Sequence, residues 1–70
     1  MMKIFETSVV RIKFATVRTD HGEFKVCEDG TVLFWHDELG KWMGESWIIA
    51  NWYKGDEMIE AVRDSGEKIL

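Results

Sequence analysis

Seventy residues with 46% hydrophobic and 31% charged side chains, a net charge of −4 and a lone cysteine, Cys27, describe one small domain over residues 1–70. That inventory excludes an intramolecular disulfide, argues against non-specific duplex binding, which needs clustered Lys and Arg, and leaves large rings as the main means of building a core. The longest apolar runs, "VLFW" and "WIIA", fall far short of the ~20 residues that span a bilayer.

The opening "MMKIFETS" lacks the apolar stretch of a secretory signal, and a single thiol suits a reducing compartment, so a soluble cytoplasmic protein is expected. "SVVRIKFATVR" is rich in β-branched and aromatic residues and reads as a first strand. Its alternation slips near Phe14-Ala15-Thr16, which predicts a bulge. "TDHG" is a turn, and a four-residue loop there sets Arg18 opposite Glu23, a favourable pair. "EFKVCE" alternates cleanly as the next strand, and Asp29-Gly30 is a two-residue type I′ hairpin signal. "TVLFWH", apolar on both faces, reads as an interior strand, followed by the turn "DELG" and a short returning strand "KWMG".

Ser46 is placed to cap a short helix through Tyr53, with a strand over "SWIIANW" as the alternative. Asp56 is a suitable cap for a second helix with Met58, Ile59 and Val62 in one stripe, ended by Ser65-Gly66. "EKIL" either docks as a last strand or frays. The fold class expected is α+β: a small antiparallel β-meander of three to five strands with a C-terminal helix packed on one face.

Loop lengths convert these elements into two faces, because turn type fixes register. A two-residue Asp29-Gly30 loop pairs Val26 with Leu33, Phe24 with Trp35 and Glu23 with His36. A bulge at Gly40 pairs Asp37 with Lys41, His36 with Trp42 and Trp35 with Met43. One face then holds Val17, Phe24, Val26, Leu33, Trp35 and Met43, covered by the helix stripe. The other holds Thr16, Arg18, Glu23, Lys25, Cys27, Val32, Phe34, His36 and Trp42. On this reading Trp35 is core, Trp47 and Trp52 line the same core or its seam, and Trp42 is the ring left for a partner.

No phosphate-binding loop or nucleophile elbow is present. Cys27 and His36 share the mixed face but stand roughly 13 Å apart along the strands, too far for a thiolate–imidazole pair. The chain is therefore read as non-enzymatic, with no cofactor. His21, Glu23 and His36 form at most a marginal metal site, against the ordinary alternative of a turn histidine and a cross-strand hydrogen bond.

The favoured function is a small protein-binding module whose contact residues are Trp42, Phe34, Lys25, Arg18 and His36. The acid excess lies in residues 27–70, with ten acidic against four basic groups, while residues 1–26 carry three against five. That balance suits an acidic inhibitor of a basic or nucleic-acid-binding partner, a profile shared as a class by small phage- and mobile-element-encoded inhibitors. Self-association through the open face belongs to the same reading. The alternative is single-stranded nucleic-acid binding on an aromatic sheet face. No membrane contact is expected.

Overall fold

A computed structural model describes residues 2–10 and 13–70 of the chain. Five antiparallel strands follow one another as a meander: β1 (Ile4–Val10), β2 (Phe14–Thr19), β3 (Gly22–Cys27), β4 (Val32–His36) and β5 (Lys41–Met43), in spatial order β1-β2-β3-β4-β5. Two helices close the chain, α1 (Glu45–Asn51) and α2 (Gly55–Glu67), and both lie on one face of the sheet. The α+β meander with a C-terminal helix on one face is thus the fold observed. Among the described residues no helix is long and apolar enough to cross a membrane.

The apolar stretch expected to form one first strand is two. The chain reverses between β1 and β2, where Lys13 adopts a left-handed conformation (φ 56°), so the predicted bulge at Phe14–Thr16 is replaced by a hairpin. Arg11 and Ile12 of the predicted strand lie outside the described residues. Instead, an irregularity sits in β1, between Ile4 and Glu6.

The β2–β3 pairing follows the sequence reading: Arg18 opposes Glu23, Val17 opposes Phe24 and Ala15 opposes Val26. Thr19, at the turn, is buried with its hydroxyl satisfied, donating to the Gly22 carbonyl (2.9 Å) and accepting the His21 N–H (3.0 Å).

The β3–β4 hairpin does not follow it. Val26 pairs with Val32 and Phe24 with Phe34, one residue away from the expected Val26–Leu33 and Phe24–Trp35. The loop is Glu28-Asp29-Gly30, closed by hydrogen bonds from the Cys27 N–H to the Thr31 carbonyl (2.8 Å) and from the Gly30 N–H to the Cys27 carbonyl (2.9 Å). This is the three-residue solution, a turn followed by a glycine with positive φ (92°). Asp29 favours it: one carboxylate oxygen accepts the Thr31 N–H at 3.0 Å, which holds its pKa below the usual carboxylate value.

The shift turns β4 over. Val32 and Phe34 enter the core, while Leu33 and Trp35 move to the open face, so Trp35 is not the core tryptophan. The next loop differs by one residue as well: Asp37–Gly40 is a four-residue loop and His36 pairs with Lys41, Trp35 with Trp42 and Phe34 with Met43. The two differences cancel beyond β4. Met43 packs on the core and Trp42 lies on the open face, as expected from the sequence.

The core contains Ala15, Val17, Phe24, Val26, Val32, Phe34, Ile48, Ile59 and Val62, with Trp47, Trp52, Met43 and Met58 packed around it. Phe34 is its aromatic centre. Its ring stacks nearly parallel on Trp47 (5.9 Å, 7°) and meets Trp52 edge-on at 4.7 Å and Phe24 at 5.2 Å. Helix, rather than strand, is the state of "ESWIIAN", and Gly44 rather than Ser46 occupies its N-cap. Helix α2 begins at Gly55, so Asp56 sits in its first turn instead of capping it.

Nor does Gly66 end α2. It lies within the helix against β3, and a Cβ built there would stand 2.6 Å from Val26 Cβ and Cγ2. Only a glycine lets the helix settle this close. The helices are also tied to the β3–β4 turn through polar groups. Glu45 Oε2 accepts from the Val32 N–H (2.9 Å) and Arg63 Nη2 (3.2 Å), and Arg63 Nε donates to the Gly30 carbonyl (2.8 Å).

Candidate functional site: the open sheet face

Both helices lie on the core side of the sheet, so the opposite face is left without a covering element among the described residues. Strand alternation puts Phe14, Thr16 and Arg18 of β2, Glu23, Lys25 and Cys27 of β3, Leu33 and Trp35 of β4 and Trp42 of β5 on that face. Four large apolar side chains, Phe14, Leu33, Trp35 and Trp42, are half-buried there.

Their geometry is specific. Trp35 and Trp42 are directly cross-strand, with ring centroids 5.3 Å apart and planes tilted by 59°. The Lys25 ammonium stands 4.3 Å from the centroid of Trp42 and 4.5 Å from that of Phe14. One cation therefore bridges two rings over the middle of the sheet, an arrangement in which each contact contributes ~0.5–1 kcal/mol where exposed. Arg18 and Glu23 oppose each other beside it.

Of the residues predicted to contact a partner, Trp42, Lys25 and Arg18 share this face. Phe34 and His36 do not, because the three-residue β3–β4 loop places them on the helix side. Phe34 is buried, and His36 meets Trp47 edge-on at 5.3 Å while its Nδ1 accepts the Leu39 N–H at 3.1 Å. The sequence reading missed Phe14, Leu33 and Trp35. The signal for Phe14 is the clean β2–β3 register, which sets it opposite Cys27.

The same shift separates Cys27 and His36, which were expected on one face and lie on opposite ones. His21, Glu23 and His36 all border a groove of about 740 Å³ at the end of the sheet, beside Trp47 and Trp52. They do not converge there. His21 packs on Trp52 (5.4 Å), Glu23 pairs with Arg18 on the open face, and the Nδ1 of His36 is engaged by Leu39. Among the described residues no group of three His, Cys, Asp or Glu side chains is arranged to hold a metal ion.

The acidic surplus lies elsewhere. Asp56, Glu57, Glu60, Asp64 and Glu67 are exposed on α2, whose buried residues Ile59, Val62 and Gly66 face the sheet. The α2 carboxylates thus look away from the open face, on which Glu6 and Glu23 stand on either side of Arg18.

Comparison of the chain with protein-family models, curated proteins and solved structures finds no match.

Proposed function

We propose that this chain is a small protein-binding module whose contact surface is the open sheet face, with Trp42, Trp35 and Phe14 as anchors and Lys25 and Arg18 at their border. The observation that carries this reading is the ring pair with its bridging cation on a face no helix covers. The core is already built on the other side from Phe24, Phe34, Ile48 and the β-branched residues around them, so the open-face rings are surplus to closing it. A compact aromatic patch with polar borders suits a partner interface.

The position of the acids refines the partner. A basic protein drawn by α2 would meet the helix side first, whereas the rings select a partner on the opposite side. Inhibition of a basic or nucleic-acid-binding protein is retained as a version of this reading in which α2 itself forms the contact. The two versions are told apart by which surface matters.

A second reading has its own support. Lys25 stands over the Trp42 and Phe14 rings with Arg18 on the same face, and the exposed carboxylates of α2 lie on the opposite side of the sheet, although Glu23 shares the open face. That arrangement suits single-stranded nucleic acid, whose bases stack on sheet aromatics.

The experiment is affinity capture from native lysate with wild type and Trp42→Ala side by side, followed by titration of the recovered partner. Trp42→Ala is expected to weaken binding at least ~30-fold with an unchanged far-UV spectrum. Equal binding by the variant overturns the open-face reading. Loss of binding only on charge reversal at Glu57 and Glu60 favours the helix side. Quenching of tryptophan fluorescence by single-stranded oligonucleotides, abolished by Lys25→Glu, favours nucleic acid.

A further inference from the structure

The edge of the sheet formed by β1 has a feature that neither the open face nor α2 explains. β1 is seven residues long, pairs only with β2 and holds one charged side chain, Glu6. Natural edge strands are usually shortened, charged, interrupted by proline or covered. Here Glu6 and the irregularity beside it are the only such devices in β1, and Phe5 and Val9 remain 67% and 51% exposed.

The sequence of this strand, Ile4-Phe5-Glu6-Thr7-Ser8-Val9-Val10, is symmetric in character about Thr7: two apolar residues, three polar, two apolar. An antiparallel pair of identical strands needs this kind of self-complementarity, because residue i meets j while j meets i.

We propose that β1 pairs antiparallel with β1 of a second copy of this chain, about a twofold axis at Thr7, joining two five-stranded sheets into one of ten. A twofold perpendicular to the sheet keeps both helix layers on the same side and requires facing residues to share strand parity. That leaves Glu6, Thr7 and Ser8 as possible centres. Centring on Glu6 sets two carboxylates face to face, which is repulsive. Centring on Ser8 sets Thr7 against Val9, polar against apolar, and leaves Glu6 without a polar partner. Centring on Thr7 sets Glu6 against Ser8, so the charge faces a hydroxyl, and brings the Ile4-Phe5 end of each strand alongside the Val9-Val10 end of the other, where Phe5 and Val9 are both exposed.

The pairing satisfies the outward backbone groups of both edges and supplies apolar burial that a chain of 70 residues lacks. It leaves the open face free and does not depend on the function proposed for it.

Two measurements on the full chain test the pairing. Sedimentation equilibrium from ~1 to ~200 μM is expected to give twice the 8.2 kDa chain mass at the upper end. Val9→Lys and Phe5→Lys, each at an exposed position, are expected to weaken self-association at least tenfold with unchanged circular dichroism, while Trp42→Ala leaves it intact. For the register, Cys27→Ser is combined with Thr7→Cys or, separately, with Ser8→Cys. Facing Thr7 positions lie about 4.5–5.5 Å apart, within disulfide reach, whereas Ser8 positions two residues out of step lie roughly 8 Å apart, beyond it. Mild oxidation should link the Thr7→Cys chain and not the Ser8→Cys chain. A monomer at every concentration, a dimer insensitive to Val9→Lys, or linkage through Ser8→Cys in place of Thr7→Cys overturns the proposal.

Discussion

On the helix side of the sheet, Phe34 is 8% exposed and held by Phe24, Trp47 and Trp52; one residue later, Trp35 lies on the opposite side against Trp42, with no helix over it. Both neighbours are large aromatic residues, yet one closes the core and the other belongs to a patch bridged by a lysine ammonium. In β4 the residue type does not decide the face; the loop does. Three residues between Cys27 and Thr31 send Phe34 inward, and two would have sent Trp35.

The largest expected effect sets these neighbours against each other. Phe34→Ala should cost about 3–5 kcal/mol, enough to unfold much of a domain this small, whereas Trp35→Ala should cost only about 1–2 kcal/mol. Chemical denaturation of both variants gives the contrast, and the reverse order would restore Trp35 to the core.

Next comes the contact between the covered face and α2. In an exposed helix Gly→Ala gains about 1 kcal/mol, but at Gly66 the added carbon meets Val26 at 2.6 Å. Gly66→Ala is expected to destabilise by about 1–3 kcal/mol, as overpacking does, and a thermal melt above wild type would show that α2 rides higher on the sheet.

The open face should respond more weakly. Replacing Lys25 by Met removes the ammonium from Phe14 and Trp42 and should change stability by no more than about 1–2 kcal/mol. It should also alter the tryptophan emission, because Trp42 loses the charge above its ring. An unchanged spectrum would mean that Lys25 does not occupy that position in solution.

The smallest effect concerns the loop that separates the two faces. Asp29 is held below its ordinary pKa of 3.8 chiefly by the Thr31 N–H. A lowered folded pKa contributes stability that is complete above the unfolded value and is lost as pH falls through the folded one. The stability difference between wild type and Asp29→Ala should therefore be constant near neutrality and narrow only once the pH drops below about 4. A gap that widens in acid would contradict the hydrogen bond.

How far the sequence exposed this arrangement varies with the strand. β3 alternates cleanly, and charge pairing of Arg18 with Glu23 chose its register against β2, so Val17, Phe24 and Val26 were legible as core. The stripe of Ile59 and Val62 identified the covering face of α2 for the same reason. β4 offered no such contrast, since Val32 and Phe34 on one side and Leu33 and Trp35 on the other are all apolar. Its register rested on Asp29-Gly30, a pair that serves both two- and three-residue loops. The β1–β2 reversal was hidden because the left-handed residue at its end is Lys13, where Gly or Asn is usual. Trp42 was placed on the open face only because two loop-length differences of one residue cancelled across β4.

The division of the rings between the two faces is tested most directly by a two-dimensional NOE spectrum of the wild-type chain. The ring protons of Phe34 should show contacts to Phe24 and Trp52, whose centroids lie 5.2 and 4.7 Å away, and the indole of Trp35 should show contacts to Trp42 at 5.3 Å. Contacts from Trp35 to Phe24, with none from Phe34, would contradict the account and exchange the two faces of β4.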